Sequence, residues 1–551
     1  MNRGNFMNTL HDAHIFTSAD DSAPAIIFVA SDAPTLTISR REFRESAWRY
    51  AHGLKRMGIM PRDLVIIAQT QTLEGIYAFW GALLIGAIPS MFPTLTEKLD
   101  PHIYMQSMAE LVRLSDVKLI ITMDDFAPQL AQAVDCPVYG ASQVVNSDDE
   151  QGTSILHTPH PAEIAFLQHS SGSTGLQKGV ALSHQAVLSQ VNNYADAIVL
   201  NGDDVIVSWL PLYHDMGLIA GFIMPLIRGI PLVLMSPFDW VAHPALLFRA
   251  IHEHGGTLCW LPNFAYNHCA RRIRVRDTEN IDLSRMRMFI NCSEPVRDDS
   301  HRLFLDRFAS NGIQPDMLTV SYAMAENTFA VTQTPHGTIP RLDKIDKTQF
   351  IEHRRAIPSD NDTDPMVMVS CGVPIRGTSV RVVDENRHPL PERHIGEIAI
   401  KSDYMITEYY RRPDLQPFTS DGWFLTGDMG YIADGEIYIA GRYKDLIINA
   451  GKNVYPQDIE AVVSSVNGIR AGRVVCFGVP DEREGTELIA VVAETDTHPD
   501  DYRALTSAIK LVVAQSTTVT VTYVKLVETG WLIKTSSGKI ARSANKDKWM
   551  R

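Results

Sequence analysis

The sequence predicts an α/β protein with largely parallel sheets, and three observations carry that reading. Short apolar runs alternate with helix-like segments over residues 20–160, the pattern of strand–helix–strand units. A small-residue loop, Ser170-Ser171-Gly172-Ser173-Thr174-Gly175-Leu176-Gln177-Lys178-Gly179, follows the strand-like Ile164-Ala165-Phe166-Leu167 and precedes a helical pattern from Ser183. The chain has 551 residues, 45% of them hydrophobic, which suits two to four structural units with large cores.

Taken in order, residues 25–29 and 64–68 read as strands, and residues 39–57 as a helix with Ser39 as its cap. Residues 75–96 carry no charge. They hold Gly81, Gly86, Pro89 and Pro93, and their helical part ends near Ile88, which is short for a membrane span. A buried helix running into a loop is expected there. Residues 118–122 read as another buried strand, and the polar residues 146–161 as a surface loop. His157, His160, His252 and His254 read as solvated loop histidines, because no further ligands are spaced to complete a metal site.

The formal charge of −14 argues against non-specific binding to nucleic acid, and no run of like charges suggests a disordered tail. Six scattered cysteines without a CxxC pair read as reduced core thiols of a cytoplasmic protein. Residues 1–6 lack an apolar signal core.

The 170–179 loop has the chemistry of a phosphate grip. Glycines let backbone N–H groups approach a polyanion, and hydroxyls and Lys178 add donors. A Walker loop would end in Gly-Lys-Ser/Thr, whereas Lys178 stands between Gln177 and Gly179. The order Ser-Ser-Gly-Ser-Thr-Gly-x-x-Lys-Gly resembles the phosphate loop of the adenylate-forming superfamily, which holds acyl-CoA synthetases, peptide-synthetase adenylation domains and luciferases.

Further segments in the same order strengthen the resemblance. Leu210-Pro211-Leu212-Tyr213-His214-Asp215-Met216-Gly217-Leu218 is similar to the fatty acyl-AMP ligase branch, which implies that His214 lies beside the substrate carboxylate and phosphate. Ser293-Glu294-Pro295, after a strand-like 288–290, resembles the adenine-pocket segment. Ser321-Tyr322-Ala323-Met324-Ala325-Glu326 matches the motif in which Tyr322 offers a flat face to adenine and Glu326 a hard oxygen to Mg²⁺, with Ala323 in place of a commoner Gly. Asp428, in Thr426-Gly427-Asp428, has two oxygens for two ribose hydroxyls. In the family Arg442 contacts the nucleotide, Asp445 is a hinge, and Lys539, in Ser537-Gly538-Lys539-Ile540, is the catalytic lysine. Two departures are Glu408, where Gly is common, and Ile533, where Pro is usual.

The resemblance implies an adenylate-forming fold. Residues 1–441 would form a large domain of packed α/β layers with a β-barrel-like part, and residues 442–551 a small mobile α+β domain. It implies ATP and Mg²⁺ as cofactors, a fatty or related carboxylic acid as substrate, and transfer to the phosphopantetheine thiol of an acyl carrier protein. Residues 340–364 stand where fatty acyl-AMP ligases carry an insertion associated with poor use of CoA, the competing reading being a variable surface loop. The tail from Lys534 holds six basic residues against Asp547 alone, so Arg542, Lys546 and Lys548 are expected on a docking face for an acidic carrier. Three alternatives stay open: a CoA ligase of the same superfamily; a stand-alone amino-acid adenylation enzyme, which would place an Asp against the substrate amine, no such acid being evident in residues 209–219; and a non-catalytic nucleotide-binding module, against which Lys539, Glu326 and Asp428 together argue.

Overall fold

The computed structural model describes residues 7–96, 101–145, 157–170, 178–359, 365–449, 452–481, 486–517, 519–535 and 538–551. Strands Leu318–Val320, Met288–Asn291, Leu258–Leu261, Ile206–Ser208, Leu232–Met235, Pro24–Val29 and Leu36–Ser39 lie in that order in one seven-stranded sheet. All its pairings are parallel except the last. A second sheet, Ile88–Phe92, Leu64–Ala68, Val117–Thr122 and Val138–Gly140, is parallel throughout. Leu64–Ala68 is buried at every residue, as a strand covered on both faces must be.

The helices end where their capping chemistry dictates. Ser39 caps Arg40–Arg56 by accepting the Glu42 N–H, while the Glu42 carboxylate accepts the Ser39 N–H at 2.8 Å. Thr72 caps Leu73–Leu84, a helix buried on most of its circumference. The loop expected after it is instead the strand Ile88–Phe92. Pro89 is tolerated there because this is the edge strand of its sheet. Among the described residues no helix is long and apolar enough to cross a membrane.

A second correction concerns the phosphate loop. The loop does not run from a strand straight into a helix. Ile164–Ser170 pairs antiparallel with Lys178–Ser183, which in turn pairs with Glu408–Tyr409. Only then does Ser183 cap the helix His184–Ala197, accepting the Ala186 N–H at 3.1 Å. The strand was hard to read because it is six residues long and opens on Lys-Gly. Its fully buried Val180, Ala181 and Leu182 are what hold it.

The β-rich part is an antiparallel sheet of Thr378–Val383, Gly396–Ser402, Phe424–Ala433 and Glu436–Arg442. Beyond it, Ile469–Asp481, Thr486–Thr495 and Tyr523–Val527 form a three-stranded sheet. With helices Pro456–Ser464 and Tyr502–Ser516 it encloses a separate core around Ile459, Val463, Cys476, Val491 and Ile509. Two of the four histidines are not solvated as expected. His157 is half-buried with Nε2 3.1 Å from the Glu163 carboxylate, and His254 Nε2 is buried, without a hydrogen-bond partner among the described residues.

Residues 340–359 form a packed element. Leu342–Ile345 pairs with Met366–Val369, and Asp346 caps the helix Lys347–His353. Ile345, Phe350 and Ala356 are buried with Tyr431, Tyr438 and Tyr455, the Phe350 and Tyr455 rings lying 5.5 Å apart. Asp343 accepts from the Tyr431 hydroxyl at 2.9 Å and from Arg393 at 3.0 Å. Residues 360–364 lie outside the described residues. Truncating Phe350 to Ala should destabilise this cluster by about 3–5 kcal/mol. Hydrogen exchange should quicken across residues 342–369 and stay unchanged in the seven-stranded sheet; equal protection in both proteins would show that the ring carries no packing energy.

Candidate active site

The C-terminal ends of the parallel strands, the antiparallel sheet and the C-terminal elements converge on one cleft of about 1140 Å³. Lys178, Ser293, Glu294, Pro295, Ser321, Tyr322, Ala323, Asp428, Arg442, Asp445 and Lys539 line it. Basic residues outnumber acidic ones on its described walls by ten to seven, although the chain as a whole carries −14. Such a surface draws in a polyanion. Ser171, Gly172, Ser173, Thr174 and Gly175 lie outside the described residues, and Ser170 ends the strand that leads to them.

Asp428 and Arg442 face each other as cross-strand partners. Arg442 Nε is 3.6 Å from Asp428 Oδ1, and the Tyr322 hydroxyl donates to Oδ2 at 2.6 Å. Burial pushes the Asp428 carboxyl above the usual carboxylate range, and Arg442 and Tyr322 work against that shift. Tyr322 is thereby fixed at the cleft wall with its hydroxyl on the carboxylate. Ser321 donates its hydroxyl to the Thr332 carbonyl at 2.8 Å, so this side chain has an internal partner. Met324 does not line the cleft; its N–H donates to the Phe329 carbonyl.

Glu326 sits in the short turn Ala325–Asn327, next to Asn327, whose side chain bonds Ala330 and Ser402 at 2.8 and 2.6 Å. Burial raises its pKa. The Tyr409 hydroxyl donates to Oε1 at 3.0 Å, and Lys178 Nζ lies 5.0 Å over the Tyr409 ring. A single desolvated carboxylate fits Mg²⁺, a cation that keeps most of its ligands as water and phosphate oxygens. Among the described residues no group of three or more His, Cys, Asp or Glu side chains is placed to cage a metal unaided. The sequence reading missed Tyr409. It stands beside Glu408, the departure that drew attention, and nothing in its spacing points to Glu326.

His214 lies in a turn in which its N–H donates to the Pro211 carbonyl and its carbonyl accepts the Leu218 N–H at 2.7 Å. Gly217 is required here because a Cβ would come 2.3 Å from the Pro211 oxygen. The wide π-helical stretch Met216–Ile223 follows, a form often found beside functional sites. His214 Nε2 is buried and lacks a partner among the described residues. Burial, helped by the Lys539 charge, lowers its pKa to about 3. An acid does stand in residues 209–219: Asp215. It accepts the Met216 N–H at 2.8 Å, and burial raises its pKa. It is engaged as a cap rather than presented to an amine.

Ser293 follows the strand Met288–Asn291 with φ +73°, and its carbonyl accepts Lys539 Nζ at 2.7 Å. Gly538, φ +83°, makes the turn from which Lys539 projects. Glu294 lines the cleft, and its carboxylate accepts the Phe264 N–H at 2.9 Å, at the start of the helix Asn263–Arg272. Arg542 is also corrected. It is not on an exposed docking face but is paired with Asp445 and Glu460 at 2.6 and 2.8 Å. Lys548 donates to the Trp531 carbonyl and lies 4.2 Å from the ring centroid.

The family model described as AMP-binding enzyme matches residues 17–410, and the chain belongs to that family, the adenylate-forming superfamily. It is 31% identical over 537 residues to a 4-hydroxyphenylalkanoate adenylyltransferase of Mycobacterium tuberculosis, covering 92% of this chain and 84% of that protein. It is 31% identical over 543 residues to the medium-chain-fatty-acid–[acyl-carrier-protein] ligase JamA of Moorena producens, covering 93% and 90%. A chain solved in work on fatty acyl-adenylate ligases from E. coli and L. pneumophila superposes with a TM-score of 0.90 at 25% identity, covering 99% and 98%.

An imidazole that is neutral throughout the working range leaves no titration of its own in the rate profile. His214→Asn should lower acid-dependent pyrophosphate release by about 10²-fold while keeping the shape of the profile between pH 5 and 8. A limb near pH 6.5 that disappears in the variant would overturn the neutral assignment.

Proposed function

We propose that the protein activates a fatty carboxylic acid with ATP, releasing pyrophosphate, and passes the acyl group from the adenylate to the phosphopantetheine thiol of a carrier protein. The observation that carries this reading is Lys539 Nζ held 2.7 Å from the Ser293 carbonyl, on the cleft shared with Tyr322, Asp428 and Arg442. The names of the relatives, an adenylyltransferase and a fatty-acid–carrier ligase, support the same class of reaction.

In the first step a carboxylate oxygen bonds to the α-phosphorus and the bond from that phosphorus to pyrophosphate breaks. In the second a thiol bonds to the acyl carbon and AMP leaves. The protein's task is alignment and charge neutralisation. Asp428 takes the ribose hydroxyls, exchanging its contact with Tyr322 for them, and the Tyr322 ring lies against adenine. Ser293, Glu294, Pro295, Ser321 and Ala323 shape the adenine pocket, the Glu294 carboxylate being occupied elsewhere and Met324 lying off the cleft. Lys178, with residues 170–175, holds the phosphates, and His214 Nε2 orients the carboxylate. Glu326 would hold Mg²⁺, which supplies positive charge to the phosphates when bound. Residues 1–441 and 442–551 are assigned as two domains hinged at Asp445. A cytoplasmic location is in keeping with six free cysteines.

A carrier thiol is preferred to CoA as acceptor because residues 340–359 are a packed element seated on Tyr455 at the start of the C-terminal elements. With Arg542 withdrawn from the surface, Lys546 and Lys548 remain as basic residues for an acidic carrier. Lys539→Ala should lower acyl-AMP formation by about 10²–10³-fold with ATP binding retained. Wild-type yield of acyl-AMP, followed by mass spectrometry over a panel of acids, would sink the assignment. Supplied with its cognate holo-carrier, the enzyme should load acyl groups far faster than it forms acyl-CoA; efficient acyl-CoA synthesis would make it a CoA ligase of the same superfamily.

A further inference from the structure

Arg542 follows Lys539 by three residues and opens the helix Arg542–Met550. Every donor-bearing nitrogen of its guanidinium is engaged. Nη1 donates to Asp445 Oδ2 at 2.6 Å, Nη2 to the two Glu460 oxygens at 2.8 and 3.0 Å, and Nε to the Cys476 carbonyl at 2.9 Å. Glu460 also accepts the Cys476 N–H at 2.8 Å. The three charged side chains are only 18–21% exposed. Three elements therefore meet at one side chain: the turn Tyr443–Asp445, the helix Pro456–Ser464 and the strand Ile469–Asp481.

The Lys539 loop is fastened to the helix that Arg542 opens. The Ala541 N–H donates to the Ile533 carbonyl at 3.0 Å. Asn545, fully buried, accepts the Ile533 N–H at 2.8 Å and donates back to the Ile533 carbonyl at 2.8 Å. The Thr535 N–H donates to the Lys539 carbonyl at 2.8 Å. On the far side, Asp445 lies three residues after Arg442, the partner of Asp428. Bonded groups thus run from the ribose-facing carboxylate, through the hinge position, to the lysine.

We infer that Arg542 is a positioning residue for adenylation, setting the reach of Lys539 by clamping its loop to Asp445 through a shared ion cluster with Glu460. The inference rests on the adenylation reading proposed above. Lysine has a long, freely rotating stem, so the point from which it extends must be held. A displacement of about 1 Å at a reacting group costs on the order of 10²-fold in rate. Arginine suits the task because its planar fork meets two carboxylates and a carbonyl at once, which an ammonium cannot. Without it, Asp445 and Glu460 are two poorly solvated like charges that have lost their shared partner, and they separate.

The test uses the full chain and measures the two half-reactions apart. Acyl-AMP formation from ATP and fatty acids is read by pyrophosphate release. Acyl transfer is read from supplied acyl-AMP to pantetheine. Arg542→Gln should lower kcat for acyl-AMP formation by about 10²-fold with the KM for ATP little changed, and leave transfer from supplied acyl-AMP near its wild-type rate. Adding Asp445→Asn should contribute little more, since both changes break one clamp. Equal loss of both half-reactions, unimpaired acyl-AMP formation, or fully additive losses would overturn the inference. If Arg542→Gln does not fold, Glu460→Gln keeps the shape, removes one charge of the cluster, and is judged by the same outcomes. An activity-independent readout is hydrogen exchange at the Thr535 amide, which should quicken in the variant; unchanged protection there would also overturn it. A wild-type protein that forms no acyl-AMP from any acid would refute the adenylation reading instead, and the exchange measurement would still decide whether Arg542 holds the loop.

Discussion

The hydrogen bond from Lys539 Nζ to the Ser293 carbonyl joins parts of the chain 246 residues apart. Both ends are made possible by left-handed backbone. Ser293 adopts φ +73°, which costs a residue with a Cβ about 1–2 kcal/mol, and Gly538 adopts φ +83° without that penalty. A strained serine persists only where the surroundings over-determine it. Here the preceding strand is held on both sides, by Leu258–Leu261 and Leu318–Val320. The ammonium has three donors, and the carbonyl uses one of them, leaving donors for oxygens of a ligand. The cleft is thus closed by an interaction that orients the lysine without neutralising it.

Desolvation is the common electrostatic theme around that contact. Burial pushes the carboxyls of Glu326, Asp428 and Asp215 up, and pushes Lys444 and His214 down. Groups of both signs are therefore held in surroundings that disfavour their charged forms, each partly offset by a neighbour. Of these, Asp428 and Lys444 line the cleft, and His214 and Asp215 feel the charge of Lys539, which lines it too; perturbed groups so placed are characteristic of a functional site. Lys178, Lys444 and Lys539 line the same cleft, and a neutral His214 can make a directional contact without adding to their charge.

Much of this was legible in the sequence because the chemistry dictates residue types. A ribose suits a carboxylate and a phosphate suits a cation, and Asp428, Lys178 and Lys539, singled out on those grounds, all line the one cleft. The parallel strands were legible too, as uninterrupted apolar runs such as Leu64–Ala68. What escaped was geometry set by tertiary contact. Lys178–Ser183 has a weak strand pattern and is a strand because it lies between two others. Tyr409 acts on a residue 83 positions away, and Arg542 on one 97 positions away. Glu294 sits in the expected segment, yet its carboxylate turns to a helix start that no local pattern reveals. An exposed basic tail and a buried clamp look alike until Asp445 and Glu460 are found beside Arg542.

The three-stranded sheet of Ile164–Ser170, Lys178–Ser183 and Glu408–Tyr409 has an implication for how the site tolerates change. Its first two strands stand before and after residues 171–177 in the sequence, and its third carries Tyr409 opposite Val180 and Glu408 opposite Ala181. Side chains on a strand alternate between faces, so a slip of one residue in this short pairing would turn Tyr409 to the opposite face. Glu326 would lose its hydroxyl partner and Lys178 its aromatic neighbour in a single event. Insertions and deletions in the segment around residues 400–412 should therefore act all-or-none, even though the segment lies far along the chain from both residues it serves. What the sheet must keep is its register: the count of residues between Tyr404, whose carbonyl accepts the Thr328 hydroxyl, and Tyr409 sets where the Tyr409 hydroxyl meets Glu326.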